Sequence, residues 1–217
     1  MLRYNLAQVY RKMGEWPLAT REFLAYLPHA SASERRAIEE VVPAIERRAQ
    51  AERTLAVEFA SAQQARDLRG MQQAAQAALA YDDQYWLAHF YLSLTLQQLA
   101  TPDARRMFPD LPDIRELLEQ ALTHLTIALR LEPKASMLRT RAQLLANMRD
   151  FSRAAADYTI LIEHLDNAED RMARAQAYYR AGRDAEAIDD LRTVIRMKPE
   201  LREALEAEIR RIESERR

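Results

Sequence analysis

Apolar side chains recur at helical spacing along most of the chain, beginning with its first residues. Residues 4–13 carry the apolar face of an amphipathic helix, formed by Leu6, Ala7, Val9, Tyr10 and Met13. Gly14 ends this helix because glycine accepts the left-handed backbone of such turns. Pro17 suits the first turn of a second helix, which we expect to reach Leu27. This pattern predicts a helix-turn-helix at the start of the chain.

The next segment predicts a long helical stretch with few interruptions. Ser31 and Glu34 have the spacing of a capping box at the start of a third helix. Pro43 is expected to kink or restart that helix, because proline removes an interior hydrogen bond. Residues 44–69 contain no helix breaker, so they form either one helix of about 25 residues or two helices with an unassigned joint. Gly70 is expected to separate this stretch from the helix that follows.

Helical periodicity then continues to the end of the chain. The predicted helices cover residues 71–81, 85–99, 113–131, 137–148 and 151–164, two runs within 170–199, and finally 201–217. The stretch from Thr101 to Pro112 interrupts the pattern and is predicted to be irregular. The last helix has a single apolar stripe and is otherwise charged, which is typical of a helix that caps a stack.

Aromatic, glycine and alanine positions repeat at fixed intervals in two distant parts of the chain. The same steps of four, five and four residues separate the members of two sets: Tyr10, Gly14, Ala19 and Phe23, and Tyr178, Gly182, Ala187 and Leu191. A pattern that recurs in this way predicts one helix-turn-helix unit that is used several times.

These positions resemble the motif of the tetratricopeptide-repeat family. That motif has a small residue and an aromatic on the first helix, glycine at the turn, alanine and an aromatic on the second helix, and a final proline. Three stretches match it: Ala7, Tyr10, Gly14, Ala19, Phe23 and Tyr26; Ala175, Tyr178, Gly182, Ala187, Leu191, Val194 and Pro199; and Ala142, Leu145, Ala154, Tyr158 and Leu161, with Arg149 in the glycine place.

A further unit is predicted with an insertion at its helix-helix turn. Its residues are Leu92, Ser93, Leu96 and Ala100, then Ala121, Leu125, Ala128 and Pro133. Ala100 and Ala121 are 21 residues apart, against five between Gly182 and Ala187, so about 16 residues (101–116) are inserted. The apolar side chains of this loop, Met107, Phe108 and Leu111, either border a binding site or fold back to cover a gap. Residues 61–83 match the motif poorly, and a degenerate unit is one interpretation of them.

The resemblance implies an all-α fold, an α-solenoid of helix-turn-helix (TPR-like) repeats with a C-terminal capping helix. Small side chains such as Ala175 and Ala187 allow two helices to cross closely, and a larger side chain at Ala187 would overpack the crossing by about 1–3 kcal/mol. We expect three regions. Residues 1–50 form an N-terminal unit plus the following helix, 51–84 a long or degenerate helical segment, and 85–217 the remaining repeats and the cap.

Composition and charge exclude several classes of function. The formal net charge of -1 gives no general reason to expect nucleic-acid binding, and no run approaches the roughly 20 apolar residues of a membrane span. With no cysteine there is no disulfide or thiolate zinc site, and the four histidines lack metal-ligand spacing. Acidic pairs such as Asp189 and Asp190 are interpreted as a solvated helix face. We therefore expect no enzyme, no metal and no cofactor.

The resemblance also implies a concave surface built by the first helix of each repeat, which commonly holds a partner's peptide. By repeat register this surface includes Phe90, Leu94, Gln97, Arg139, Gln143, Asn147, Met172, Gln176, Tyr179 and Arg180. Such a mixture of aromatic, amide and guanidinium groups suits an extended peptide with an occasional carboxylate. The alternative is a groove that is only solvated, or that is filled by the chain's own N-terminal helices.

One subtype of the family grips a chaperone's C-terminal carboxylate with lysine, asparagine and arginine from successive first helices. Here the matching positions hold Tyr4 and Gln8 in the first repeat, and Glu169 and Ala173 in the last. That clamp is therefore absent, which disfavours a receptor for chaperone tails.

The sequence thus predicts a non-enzymatic adaptor or scaffold that binds another protein or peptide in its concave groove, in a bacterial cytoplasm. Helical periodicity that starts abruptly at Met1 motivates a second hypothesis, a regulatory or targeting domain excised from a larger multidomain enzyme. The third hypothesis is a self-assembling scaffold, formed by end-to-end stacking or by the alanine-rich helix within residues 44–69.

Overall fold

The structure is a computed structural model and describes residues 1–215. The chain is α-helical and forms two compact units, residues 1–99 and the residues from Ala100 onward. The helices of the first unit are α1 (Leu2–Lys12), α2 (Trp16–Tyr26), α3 (Ala32–Thr54), α4 (Ala60–Gln64), α5 (Leu68–Tyr81) and α6 (Trp86–Leu99). Those of the second unit are α7 (Pro102–Met107), α8 (Ile114–Leu131), α9 (Ala135–Asn147), α10 (Phe151–His164), α11 (Ala168–Arg180), α12 (Asp184–Met197) and α13 (Arg202–Glu215). In the first unit α1 packs on α2, α2 on α3 and α5 on α6, and in the second unit each helix from α8 to α12 packs on the next one in sequence.

Four helix pairs are joined by the same tight turn. One residue in each turn has a left-handed backbone, with φ of 76° at Gly14, 55° at Arg66, 64° at Arg149 and 73° at Gly182. The next amide N–H donates to the carbonyl five residues earlier, at 2.8 to 2.9 Å: Glu15 to Tyr10, Asp67 to Ala62, Asp150 to Leu145 and Arg183 to Tyr178. This hydrogen bond is the mark of the Schellman motif. The predicted turns at Gly14 and Gly182 are confirmed, and Arg149 does occupy the glycine place.

The turn at Arg66 reveals a helix pair in the stretch that matches the motif poorly. Counted from the turn, the small and large positions have changed places: Phe59 and Met71 stand where the first pair has Ala7 and Ala19, and Ala62 and Ala75 where it has Tyr10 and Phe23. A π-helical turn, Leu55–Phe59, joins α3 to α4 at this point, and the Phe59 ring stacks on Tyr91 of α6. The exchange of sizes explains why the sequence pattern is weak here.

The structure corrects two expectations for this region. The helix is continuous through Pro43, so of the two expected effects of this proline the restart is wrong, and the helical path ends only at Gln64. Gly70 does not separate helices but lies in the first turn of α5, where its amide donates to the Asp67 carboxylate at 3.0 Å. A Cβ at this position would lie 2.5 Å from the Asp67 Oδ2 and 3.0 Å from the Ala62 Cβ, so glycine suits close packing here rather than a break.

The inserted stretch was predicted to be irregular. This is wrong for part of it, because it contains α7. The Thr101 hydroxyl accepts the Ala104 amide at 3.2 Å and caps this helix. Ala104 and Leu111 are buried, whereas Met107 is 71% exposed. The buried residues agree with the interpretation that the insertion folds back on the protein. Met107 does not follow it, because its side chain stays exposed.

Small side chains occupy the helix crossings, as predicted. Ala175 and Ala187 are buried in one cluster, in which Ile209 and Ile212 of α13 also pack. The last helix therefore covers α11 and α12 with one apolar stripe, and its other faces are polar. Its role as a C-terminal cap is confirmed.

Candidate functional site

Buried arginine–aspartate pairs hold α9 against α10 and α11 against α12. Arg141 donates to both carboxylate oxygens of Asp157 at 2.8 and 2.7 Å, and Arg174 donates to both oxygens of Asp190 at 2.7 Å. The two arginines and the two aspartates are each 33 residues apart (174 − 141 and 190 − 157), which is the spacing of the turns. Each bidentate pair therefore fixes the orientation of a first helix on its second helix.

The expectation that Asp189 and Asp190 lie on a solvated face is wrong for Asp190. Adjacent residues of a helix point about 100° apart, so one aspartate of the pair faces inward. Asp189 is exposed, but Asp190 is only 1% exposed, and Arg171 donates to it at 3.0 Å in addition to Arg174. Asp190 is a structural residue.

A further pair links one helical hairpin to the next. Arg139 of α9 donates to both oxygens of Asp170 of α11 at 2.7 and 2.6 Å, and the Asn167 side-chain amide donates to the same carboxylate at 2.7 Å. Asp170 is 2% exposed. The Arg139 guanidinium, which was predicted to face a ligand, is therefore bound to a buried carboxylate of its own chain.

Acid is expected to weaken this link. The hydrogen-bonded Arg139 holds the pKa of the Asp170 carboxyl below its ordinary value of 3.8. Because the folded pKa is below the unfolded one, the stabilisation is complete above about pH 4 and is lost as the pH falls through the folded pKa. In urea denaturation, Asp170→Asn should be less stable than the wild type at pH 7, and the difference should narrow as the pH is lowered to about 2. A difference that stays constant over this range would contradict the assignment.

The first helices α9 and α11 enclose a cavity of about 740 Å³, here called the α9–α11 cavity. Its polar lining consists of three side-chain amides, two guanidinium groups and one phenol, from Gln143, Asn147, Gln176, Arg149, Arg180 and Tyr158. Phe151 and three alanines form its apolar lining. The cavity is open to solvent because Gln143, Asn147, Gln176 and Arg180 are exposed.

Five polar side chains of this cavity have no partner in the part of the chain that the structure describes. Among residues 1–215, the side chains of Gln143, Asn147, Gln176, Arg149 and Arg180 make no hydrogen bond or ion pair, and no carboxylate lines the cavity. By contrast, the neighbouring Arg139, Arg141, Arg171 and Arg174 all bind aspartates. Burial raises the pKa of the Tyr158 hydroxyl, which keeps it a neutral donor. The cavity therefore has two cations available for an acceptor from outside.

A second cavity of about 450 Å³ lies between α11 and the capping helix, and is called the α11–α13 cavity. Of its two arginines, Arg180 is shared with the α9–α11 cavity, and Arg211 is neutralised because it donates to Glu208 at 2.9 and 2.5 Å and to Glu215 at 2.9 Å. Arg211 also lies over the Tyr179 ring, 4.9 Å from its centroid, and the Tyr179 hydroxyl donates to Glu215. Tyr179 therefore helps to hold the capping helix in place.

Comparison with known proteins identifies the fold. No protein-family model and no curated protein matches the sequence. The solved structure of YrrB, described as a TPR protein with an unusual peptide-binding site, resembles the chain with a TM-score of 0.53 and 14% identity, over 95% of this chain and 90% of that one. The chain has the tetratricopeptide-repeat fold.

Two other structures extend this comparison. MamA has a TM-score of 0.54 and 12% identity, over 93% of each chain. TTC0263, a thermophilic TPR protein of Thermus thermophilus, has 20% identity and a TM-score of 0.48, over 97% of this chain and 96% of that one. The similarity to MamA and YrrB confirms the predicted fold class, an α-solenoid of tetratricopeptide-like repeats with a capping helix.

The repeat register brings together only part of the predicted contact set. Gln143, Asn147, Gln176 and Arg180 line the α9–α11 cavity, and Met172 and Tyr179 line the α11–α13 cavity. Gln176 and Arg180 face both cavities, whereas Arg139 lines neither.

The other three predicted contact residues lie on α6 of the first unit. Phe90, Leu94 and Gln97 are half-buried, and the Gln97 amide donates to the Ser93 carbonyl and hydroxyl at 3.3 Å. Their part in a binding surface stays a prediction.

Two residues that line the α9–α11 cavity, Arg149 and Tyr158, were not predicted from the repeat register. Arg149 was recognised only as a substitute for the turn glycine, although a charged side chain at that turn projects beside the groove. Tyr158 was predicted to be a packing residue, and its 4% exposure agrees with that role. It nevertheless also lines the α9–α11 cavity. The signal for Arg149 was available, since a long cation is unusual where the repeat motif has glycine.

Groups that could perform other chemistry are sparse in the described residues. In residues 1–215 no cluster of three or more histidine and carboxylate side chains could hold a metal ion. No helix of this part of the chain has the length and apolar character needed to cross a membrane.

Proposed function

We propose that the protein is a non-enzymatic adaptor that binds an extended peptide segment of another protein in the α9–α11 cavity. The observation that carries this proposal is the set of unpaired amides and guanidinium groups around an apolar floor. Polar side chains that have no hydrogen-bond partner within the protein can bind a ligand without first breaking an internal hydrogen bond. An acceptor-rich peptide is the ligand that suits them.

An extended peptide offers the groups that this lining can recognise. Its backbone presents both N–H and carbonyl groups, and the amides of Gln143, Asn147 and Gln176 can accept from the first and donate to the second. Arg149 and Arg180 can each bind a carboxylate in a bidentate manner, which is the strongest contact available in this cavity. Phe151 and the alanines would receive an apolar side chain of the peptide.

The comparison supports a peptide ligand in a general way. YrrB, which has a similar fold, is described as having an unusual peptide-binding site. Transfer of that property to this chain is part of the proposal, because a shared fold does not establish a shared ligand.

The proposal predicts that loss of the two unpaired cations abolishes peptide binding. A displayed library of random ten-residue peptides would be selected against the 217-residue chain, and the enriched sequences synthesised with a fluorophore. We expect acidic residues or a free C-terminal carboxylate among them. Fluorescence anisotropy should show binding at least about 100-fold weaker to Arg149→Gly combined with Arg180→Gln, because two charge-assisted contacts are lost.

Arg149→Gly and Arg180→Gln are both expected to preserve the fold. Glycine suits the positive φ of residue 149, and residue 180 is exposed at the end of α11. Arg153→Gln is the matched control, since its guanidinium lies outside the α9–α11 cavity and binds Asp150 at 3.3 Å. Enriched peptides that bind the double variant as tightly as the wild type would contradict the site. A library that yields no binder would contradict the function.

A further inference from the structure

A third cavity, of about 780 Å³, lies beside the turn at Arg149 and is called the α8–α10 cavity. Its apolar wall consists of five large side chains from α8 and the C-terminal end of α9: Ile114, Leu118, Leu122, Leu145 and Met148. Leu145 is buried, and the other four side chains are half-buried. The cavity therefore presents an apolar surface that helix packing already holds in place.

Part of this wall belongs to an extra helical turn of α8. Helix α8 has 18 residues, whereas α10 and α12 have 14 each. Helices α10 and α12 begin three residues before the alanines of their crossings, Ala154 and Ala187, but α8 begins seven residues before the equivalent Ala121. Ile114 lies in the extra turn. The cavity is therefore particular to this repeat and lies outside the first-helix surface that the repeat register predicts.

The α8–α10 cavity continues into the α9–α11 cavity. Asn147 and Arg149 line both of them. One apolar cluster also underlies both, with Leu122 and Leu145 on the side of α8, and Ala146 and Ala177 on the side of α11. A peptide that lies in the α9–α11 cavity and passes Arg149 therefore enters the α8–α10 cavity.

The charges at this junction define what such a peptide can carry. Arg115 donates to Glu119 at 2.8 Å, and Arg153 donates to Asp150 at 3.3 Å. Arg149 is the one arginine of the α8–α10 cavity that has no carboxylate partner among residues 1–215. A carboxylate of the ligand is therefore bound best at Arg149, and the surface next to it is the apolar wall.

We infer that the peptide carries a large aliphatic or aromatic side chain two positions away from an acidic residue. The acidic residue binds Arg149, and the apolar side chain lies against Leu118 in the α8–α10 cavity. Both contacts are on one surface of the protein, and side chains of an extended peptide that face the same way are two residues apart. This inference rests on the proposed function and names the class of peptide that the site takes.

Selection experiments test this preference directly. The displayed library of random ten-residue peptides would be selected in parallel against the wild type, Leu118→Ser and Leu129→Ser. Leu129→Ser is the matched control, since Leu129 is half-buried on the same helix and lines neither cavity. We expect the wild type and the control to enrich an acidic residue with a large apolar residue two positions away. Leu118→Ser should enrich acidic peptides without that preference.

Fluorescence anisotropy with the enriched peptides gives the second measurement, which needs no change in the protein. Alanine in place of the apolar residue should weaken binding to the wild type at least about tenfold, because a large buried side chain is lost. The same peptide change should weaken binding to Leu118→Ser less than about threefold, because the two changes remove one contact. An amide in place of the acidic residue should weaken binding to both proteins equally.

The outcomes separate this inference from the proposed function. Acidic peptides without an apolar residue at the stated spacing would overturn the inference and leave the proposed function standing. So would an equal effect of the alanine peptide on the wild type and Leu118→Ser. A library that yields no binder to the wild type would contradict the proposed function, and the inference with it.

Discussion

Replacement of Asp190 by alanine is expected to lower the free energy of unfolding of the second unit by about 3–5 kcal/mol. Arg174 binds both oxygens of this carboxylate at 2.7 Å, and Arg171 binds one of them at 3.0 Å. The side chains of these arginines are only 15% and 17% exposed. Loss of the carboxylate leaves the largely buried Arg174 without a carboxylate partner, whereas Arg171 keeps its pair with Asp166. An uncompensated buried cation costs more than the loss of an exposed ion pair.

Asp189→Ala provides the control for this experiment, because it removes the same group from the adjacent position of the same helix. Asp189 is exposed, and such a surface substitution should change the stability by less than about 0.5 kcal/mol. Chemical denaturation followed by circular dichroism measures both variants. Equal stability of Asp189→Ala and Asp190→Ala would show that the Arg174–Asp190 pair does not hold α11 to α12.

Ala187→Phe is expected to destabilise the second unit by about 1–3 kcal/mol, through overpacking rather than loss of charge. Ala187 is 0% exposed and shares a cluster with Ala175 of the facing helix. A phenyl ring at this crossing would push α11 and α12 apart or force side chains away from their preferred rotamers.

The matched control is Ala185→Phe, two residues earlier on α12, where the side chain is exposed. It should leave the denaturation midpoint almost unchanged. A similar loss in both variants would point to the helix propensity of phenylalanine instead of the crossing. A stable Ala187→Phe protein would mean that the close approach of the two helices is not required.

Prediction from the sequence succeeded where one local interaction decides the structure. The Ser31–Glu34 capping box, the turns at Gly14 and Gly182 and the alanine crossings are all present. The expected restart at Pro43 and the expected break at Gly70 were wrong, because context outweighs propensity there. A helix that packs along its length can include a proline, and a glycine can serve close contact as well as a break.

The candidate site was only partly predictable, because register fixes the face of a helix but not the pairing of its charges. Arg139 and Arg180 both belong to first helices and both were assigned to the groove. Arg139 instead binds the buried Asp170, whereas Arg180 has no partner among the described residues. The partner of an arginine depends on which carboxylate the neighbouring helix brings within about 3 Å.

The sequence by itself determined the helices, the period of the repeat and the fold, because helical periodicity and turn chemistry are local. Only the tertiary structure decided which arginines pair with carboxylates inside the protein and which have no such partner among residues 1–215. The arginines at positions 139, 141, 171 and 174 form ion pairs with buried aspartates, whereas Arg149 and Arg180 line the α9–α11 cavity without a carboxylate partner. The physical reason is that desolvation and bidentate geometry select ion pairs in three dimensions, and these distances cannot be read from the order of residues.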